Sequence, residues 1–125
     1  ASTIESNNEK YGSDSVSFIQ VNLVEDKLPT ADLILVRDCL QHLCLADAQA
    51  VLDNIRSSGT RYLLVNNFLG SDNNKYAKYD SEQSAMGRNL WVLNKKPFDL
   101  GHPILYLNQS YKSDRHHLLG LWQLN

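Results

Sequence analysis

An acid and a histidine four residues apart follow an apolar run of strand length. Residues 31–36 are almost continuously apolar, and the run ends at Arg37 and Asp38, with His42 four residues after the aspartate. In open α/β sheets, ligands bind just beyond the carboxyl ends of the strands. A helical turn after the strand would place Asp38 and His42 on one face, as a general acid/base pair. In the alternative interpretation, Asp38 caps that turn and His42 packs nearby.

The elements that would position these residues are strands and a helix. Apolar, β-branched or aromatic runs over residues 16–21, 31–36 and 61–65 predict three strands. From residue 46 onward the apolar positions recur at helical spacing, which predicts a helix that Gly59 ends. Crossovers of this length join parallel strands, so we expect the three strands to lie parallel in one sheet.

The last quarter of the chain predicts an antiparallel hairpin. Strand-like runs cover residues 104–111 and 116–124, with four polar residues between them. Residues 66–96 are polar and too long for a simple connection, which indicates a functional or disordered loop. The predicted fold class is therefore α/β, a mostly parallel sheet with a carboxyl-terminal antiparallel hairpin, in a single domain of residues 1–125.

The composition argues against several classes of partner. The chain has 125 residues, of which 42% are hydrophobic and 21% charged, with a formal net charge of -2. No overall positive field would draw it to nucleic acid or anionic lipid. Its apolar runs are far shorter than the roughly 20 residues of a membrane-spanning helix, and its polar, acidic start lacks a secretory pattern. We therefore expect a cytoplasmic protein with neither nucleic-acid nor membrane partners.

The cysteines and the paired histidines do not indicate a metal site. Cys39 and Cys44 are five residues apart, a spacing of neither a zinc knuckle nor a redox pair, so we expect free thiols in or near the core. His116 and His117 are adjacent in a predicted strand, so their side chains would point to opposite faces. A shared metal ion is not expected there.

Several stretches of the chain resemble class I S-adenosylmethionine-dependent methyltransferases, which close an otherwise parallel sheet with an antiparallel hairpin. Residues 18–22, 28–29 and 31–43 are similar to the third and fourth strands of that family and the loops after them. Residues 54–65 are similar to its fourth helix and fifth strand. The chain also resembles one bacterial-type branch of the family, whose members are uncharacterised, at residues 88–90, 97–100 and 119–122. The resemblance implies the carboxyl-terminal half of a Rossmann-like methyltransferase domain.

The resemblance implies a cofactor site for S-adenosylmethionine. In the family, the residue at the end of the third strand contacts the adenine amino group and the next backbone amide meets the ring; the matching positions are Asn22 and Leu23. Arg37 follows the fourth strand, beside the place where cofactor and acceptor meet. In the alternative interpretation, Asn22 only shapes the turn over residues 22–30.

One part of the family pattern does not occur in this sequence. The glycine-rich turn that holds the methionine part of the cofactor, and the acid that binds its ribose, should precede Asn8, and no stretch matches either. The intact parent domain would methylate a small or medium acceptor, with Arg88, Asn89 and Trp91 as a lid or, alternatively, as plain surface loop. This chain alone would bind the cofactor weakly or not at all. The rival hypothesis is a non-catalytic fragment or degenerate relative that associates through an exposed sheet edge.

Overall fold

A four-stranded mixed sheet organises the chain. The computed structural model describes residues 2–77, 89–108 and 118–125. The strands are β1 (Leu33–Val36), β2 (Tyr62–Asn67), β3 (Leu105–Asn108) and β4 (Leu118–Gln123), in the order β1-β2-β4-β3. Strand β1 pairs with β2 in parallel, whereas β4 pairs with β2 and with β3 in antiparallel fashion. The α/β class and the antiparallel pairing of the last two strands are confirmed, but in the described residues the sheet is mixed rather than mostly parallel.

The helices lie before and between the strands. Helix α1 (Thr3–Tyr11) begins with a capping box of Ser2 and Glu5 and buries none of its residues. A 3-10 turn, Leu40–His42, precedes helix α2 (Leu45–Ser57), and a short helix α3 (Asn73–Ala77) follows β2. Within the described part of the chain, no helix has the length and apolar character needed to cross a membrane.

Helix α2 confirms the prediction made from apolar spacing. Its buried residues are those at the predicted positions, namely Ala48, Val51, Leu52 and Ile55. They join Leu63, Val65 and the two tryptophans in the hydrophobic core. Full burial of one branched side chain stabilises a fold by about 1.5 to 3 kcal/mol, so this face holds α2 on the sheet. Gly59 ends the region with φ 78, a left-handed conformation that glycine adopts at low cost.

The predicted strand over residues 16–21 is wrong. Val16 makes an isolated bridge with Ser13, and residues 17–22 belong to no strand. The side-chain amide of Asn8 bonds both the N–H and the C=O of Phe18, each at 2.8 Å, in place of a neighbouring strand. Ile19 is 61% exposed. A β-branched run becomes a strand only where another strand pairs with it, and no strand within the described residues lies beside this one.

Candidate functional site

The carboxyl ends of β1 and β2 meet at four polar residues, Asp38, Gln41, Asn66 and Asn89, which we call the amide cluster. The Asp38 N–H donates to Asn66 Oδ1 at 2.6 Å, and Gln41 Nε2 donates to Asp38 Oδ1 at 3.1 Å. The Asn89 N–H donates to the Gln41 carbonyl at 2.6 Å, and Asn89 Nδ2 donates to the Leu43 carbonyl at 2.8 Å. Hydrogen bonds thus join three separate segments of the chain at this edge of the sheet.

Asp38 has an unusual backbone conformation. Its φ of 52 lies in the left-handed region, which costs a non-glycine residue on the order of 1 kcal/mol and is best tolerated by Asp and Asn. The bond from its N–H to Asn66 holds this conformation. Arg37 Nε lies 3.4 Å from Asp38 Oδ2, with side chains 60% and 44% exposed, so this ion pair adds at most about 1 kcal/mol.

The two residues predicted to act in catalysis both lie in the segment that follows β1. Asp38 belongs to the amide cluster and His42 ends the 3-10 turn, and both residues are exposed. The turn covers Leu40–His42, so Asp38 precedes it and the two residues do not lie on one α-helical turn as predicted. The residue at the amino-terminal cap of the turn is Cys39, so Asp38 does not occupy the capping position that the alternative interpretation gave it.

Three buried side chains of the amide cluster each retain an atom without a hydrogen-bond partner. These atoms are Gln41 Oε1, Asn66 Nδ2 and Asn89 Oδ1. The three residues are only 4%, 4% and 2% exposed. An unpaired buried polar group costs about 1 to 3 kcal/mol, and the large majority of buried polar side-chain atoms in folded proteins are paired. The amide cluster therefore has unused hydrogen-bonding capacity.

The orientation of each amide follows from its existing partner. Gln41 Nε2 faces a carboxylate and Asn89 Nδ2 faces a carbonyl, so rotating either amide would bring two acceptors together. Asn66 Oδ1 faces an N–H, so rotating that amide would bring two donors together. The free set is therefore two acceptor oxygens and one N–H donor group.

Asn67, the residue after Asn66 in β2, forms a fully bonded network. Its Oδ1 accepts from the Leu93 N–H at 2.7 Å. Its Nδ2 donates to Asn94 Oδ1 and to the Tyr106 hydroxyl, both at 3.1 Å. Asn67 has no exposed surface, and all its polar side-chain atoms have partners.

Asn73 and Trp91 anchor the segment of residues 91–96 to the rest of the fold. Asn73 Oδ1 accepts from the Val92 N–H at 2.7 Å, and its Nδ2 donates to the carbonyls of Val92 and Lys96 at 2.9 and 2.8 Å. Trp91 Nε1 donates to the Leu40 carbonyl at 3.0 Å. Trp91 is 1% exposed and packs on Phe98 at a ring-centroid distance of 5.4 Å. Trp91 and Asn89 are therefore buried, not surface-loop residues, whereas Arg88 lies outside the described residues.

Two of the three predicted cofactor residues line one cavity. Leu23 and Arg37 lie on its wall together with Val36, the last residue of β1, and Cys39. The cavity has a volume of about 320 Å³, and apolar side chains form most of its surface. It has room for a flat ring, though its volume is at the small end of the range for ligand pockets.

The third predicted cofactor residue, Asn22, bonds within its own turn. Its Oδ1 accepts from the Val24 N–H at 3.0 Å, and its Nδ2 donates to Glu25 Oε2 at 3.2 Å. Its backbone N–H donates to Asp26 Oδ2 at 2.7 Å. These bonds are the ones that the alternative interpretation of Asn22 as a turn residue predicts.

Cys39 and Cys44 are free and partly buried, as the sequence predicted. Burial raises the pKa of the Cys39 thiol, because the thiolate loses hydration beside the apolar cavity wall. Across the described ranges, no three His, Cys, Asp or Glu side chains lie close enough together to hold a metal ion. His116 and His117 lie outside those ranges.

The sequence-based prediction did not single out Gln41, Asn66, Asn67 or Asn73. Asn66 and Asn67 follow the apolar residues of β2, just as Arg37 and Asp38 follow those of β1. The rule that ligands bind at the carboxyl ends of strands would have selected both asparagines. No sequence signal indicates the contacts of Gln41 and Asn73.

The comparisons with known proteins do not identify a family. No protein-family model matches the chain, and no curated protein or solved structure matches it significantly. The sheet, the apolar cavity and the amide cluster are the features that bear on function.

Proposed function

We propose that the chain is the carboxyl-terminal half of a class I S-adenosylmethionine-dependent methyltransferase domain that acts on a small or medium acceptor. The observation that carries the proposal is the shared cavity of Leu23 and Arg37, two residues 14 positions apart in the sequence that were assigned to one cofactor. The antiparallel hairpin beside a parallel strand pair also supports it, since the resemblance implies that arrangement.

The residues of the cavity fit one part of the cofactor. An adenine ring is flat and apolar on both faces, and the cavity wall is apolar with one guanidinium, that of Arg37. The sequence offers no glycine-rich turn for the methionine part. The proposal therefore assigns the adenine end to this chain, with Leu23 and Arg37 as contacts, and no residue of it to the methionine end.

Methyl transfer from a sulfonium requires alignment of the methyl donor and the nucleophile, and a base only where the acceptor must lose a proton. Asp38 lies in the amide cluster two residues after β1, its neighbours Arg37 and Cys39 line the apolar cavity, and its side chain is 44% exposed. We assign the proton-accepting role to Asp38, because its carboxylate accepts from Gln41 within the amide cluster, and His42, which ends the 3-10 turn, is the second catalytic candidate.

A titration with adenosine tests the cofactor assignment. In the isotope-labelled chain, millimolar adenosine should shift the backbone amide signals of Leu23 and Arg37. S-adenosylmethionine should bind no more tightly than adenosine, because the sequence has no glycine-rich turn for the methionine moiety. The variant Leu23→Ala should weaken the response. Val24→Ala is the matched control, since Val24 is also half-buried but is not part of the cavity wall.

Two results would contradict the proposal. If a saturating concentration of adenosine leaves the backbone amide signals of Leu23 and Arg37 unchanged, the cavity does not bind adenine. If the coding sequence upstream of Ala1 encodes no strand followed by a glycine-rich turn, the parent protein is not a methyltransferase of this class. Micromolar binding of S-adenosylmethionine to the monomer would instead show that this chain holds the whole cofactor.

A second candidate function, association through the sheet edge, has an observation of its own. Strand β1 is at one end of the sheet in the described residues, and its Leu33 and Leu35 are 48% and 56% exposed. An unpaired strand edge with exposed leucines promotes association. Light scattering should then report dimers or larger species, and Leu35→Lys should give a monomer. Leu107→Lys is the control, because Leu107 on β3 is similarly exposed, at 47%. A monomeric unmodified chain would contradict this candidate.

A further inference from the structure

The unpaired atoms of the amide cluster define a hydrogen-bonding pattern. Gln41 Oε1 and Asn89 Oδ1 each lack a donor, and Asn66 Nδ2 lacks an acceptor. A group that satisfies all three offers two N–H or O–H donors and one acceptor. A primary carboxamide has this composition, with two N–H bonds and one carbonyl oxygen.

The charges around the amide cluster disfavour an ionic ligand. An anion would find one free donor and two free acceptor oxygens, which would repel it. A cation would need an available carboxylate, but Asp38 already interacts with Arg37 and accepts from Gln41. A purely apolar group would leave all three atoms unpaired and their desolvation uncompensated.

The position of the amide cluster is that of a ligand site. It lies where β1 and β2 end at their carboxyl termini, which is where open α/β sheets bind ligands. It meets solvent at Asp38, and the three unpaired atoms are themselves buried. Hydrogen bonds made to buried atoms are stronger than exposed ones because the local dielectric constant is low.

We propose that the amide cluster binds a neutral group that carries N–H donors beside a hydrogen-bond acceptor, as a primary carboxamide does. Gln41 Oε1 and Asn89 Oδ1 accept from its N–H bonds, and Asn66 Nδ2 donates to its acceptor. In the proposed methyltransferase, this group belongs to the methyl acceptor, and that one point rests on the proposed function.

Acetamide is a suitable probe, because it carries the two N–H bonds and the carbonyl oxygen and little else. In the isotope-labelled 125-residue chain, acetamide should produce saturable shifts of the side-chain NH₂ signals of Asn66, Gln41 and Asn89. N,N-dimethylacetamide, which has no N–H, and acetate, which is anionic, should produce no saturable shift at the same concentrations.

The variant Gln41→Met tests which residue accepts the N–H bonds. It removes one free acceptor and should abolish the saturable response of Asn66 to acetamide. Gln49→Met is the matched control, since Gln49 lies on α2 outside the amide cluster, and it should leave the response unchanged. If Gln41→Met does not fold, the comparison of acetamide with N,N-dimethylacetamide on the unmodified chain still decides the proposal.

Three outcomes would overturn the proposal. They are equal responses to acetamide and N,N-dimethylacetamide, no saturable response to either, and an unchanged response in Gln41→Met. The second outcome would mean that buried water alone occupies the free positions. The adenosine titration is independent of these measurements, so failure of the cofactor assignment and failure of the carboxamide site are separate results.

Discussion

Two neighbouring asparagines of β2 have opposite hydrogen-bonding states. Asn67 and the nearby Asn73 have partners for all their side-chain polar atoms, and they fix the backbone of residues 92–96. Asn66, one residue before Asn67, belongs to a cluster in which three amides each keep an unpaired atom. Both regions are buried to a similar degree, so burial alone does not account for the difference.

The difference separates an amide that stabilises the fold from one that is available to a ligand. A satisfied amide contributes its hydrogen bonds to the free energy of unfolding, and its removal leaves backbone groups unpaired. An amide with an unpaired atom carries a desolvation cost that a bound partner can offset. Substitutions in the two regions should therefore change stability by different amounts, and the following predictions proceed from the largest effect to the smallest.

The largest loss of stability is expected for Asn73→Leu. The variant removes three hydrogen bonds and leaves the N–H and C=O of buried Val92 without their side-chain partner. The free energy of unfolding should fall by about 3 kcal/mol, measured by urea denaturation. Asn74→Leu is the control, since Asn74 is exposed, and it should change stability by less than about 0.5 kcal/mol. Equal effects of the two variants would remove the structural role of Asn73.

An intermediate loss is expected for Asn66→Leu. The Asp38 N–H loses its acceptor, which is destabilising because φ at Asp38 is positive and depends on that bond. Removal of the unpaired Nδ2 offsets part of this loss. We expect a net decrease of about 1 kcal/mol in the same urea measurement. A decrease as large as that of Asn73→Leu would show that the amide cluster is as important to the fold as the Asn67 and Asn73 network.

A near-zero change is expected for Gln41→Met. The variant removes the unpaired Oε1, and Asp38, whose side chain is 44% exposed, can bond water in place of Gln41 Nε2. Stability should stay within about 0.5 kcal/mol of the unmodified chain, or rise. Loss of carboxamide binding without loss of stability would sharpen the distinction between the two regions. A decrease of several kcal/mol in the free energy of unfolding would show that Gln41 stabilises the fold as Asn73 does, and the two regions would not differ in this respect.

The smallest effect concerns Cys39, which lies between Asp38 and Gln41. Burial raises the pKa of its thiol, so the folded chain favours the neutral form. The resulting stability is fully present below the pKa of the unfolded thiol and is lost as pH rises through the raised pKa of the folded thiol. Urea denaturation over this alkaline range should therefore show a falling free energy of unfolding.

Two cysteine variants isolate this contribution. Cys39→Ala should lose part of the alkaline decrease in stability, whereas Cys44→Ala should keep it, because Cys39 is still present in that variant. An identical pH dependence in both would show that burial of Cys39 does not affect the stability of the segment that leads into the amide cluster.

The sequence alone determined the elements whose signals are local. The apolar spacing of α2 predicts its buried face, because residues three and four apart share one side of a helix whatever surrounds it. The apolar runs of β1, β2 and the last two strands predict their existence and the antiparallel pairing of the hairpin. Free thiols at Cys39 and Cys44 also followed from spacing.

Only the tertiary structure decided which polar side chains are paired. Residues 16–21 have the composition of a strand, but no neighbouring strand in the described residues pairs with them. Asn66 and Asn67 have the same side chain at adjacent positions, and residues distant in sequence, Asp38 for one and Leu93 for the other, give them different partners. Local sequence predicts where a polar group lies along an element. Its hydrogen-bond partners come from contacts between distant segments, which no local pattern encodes.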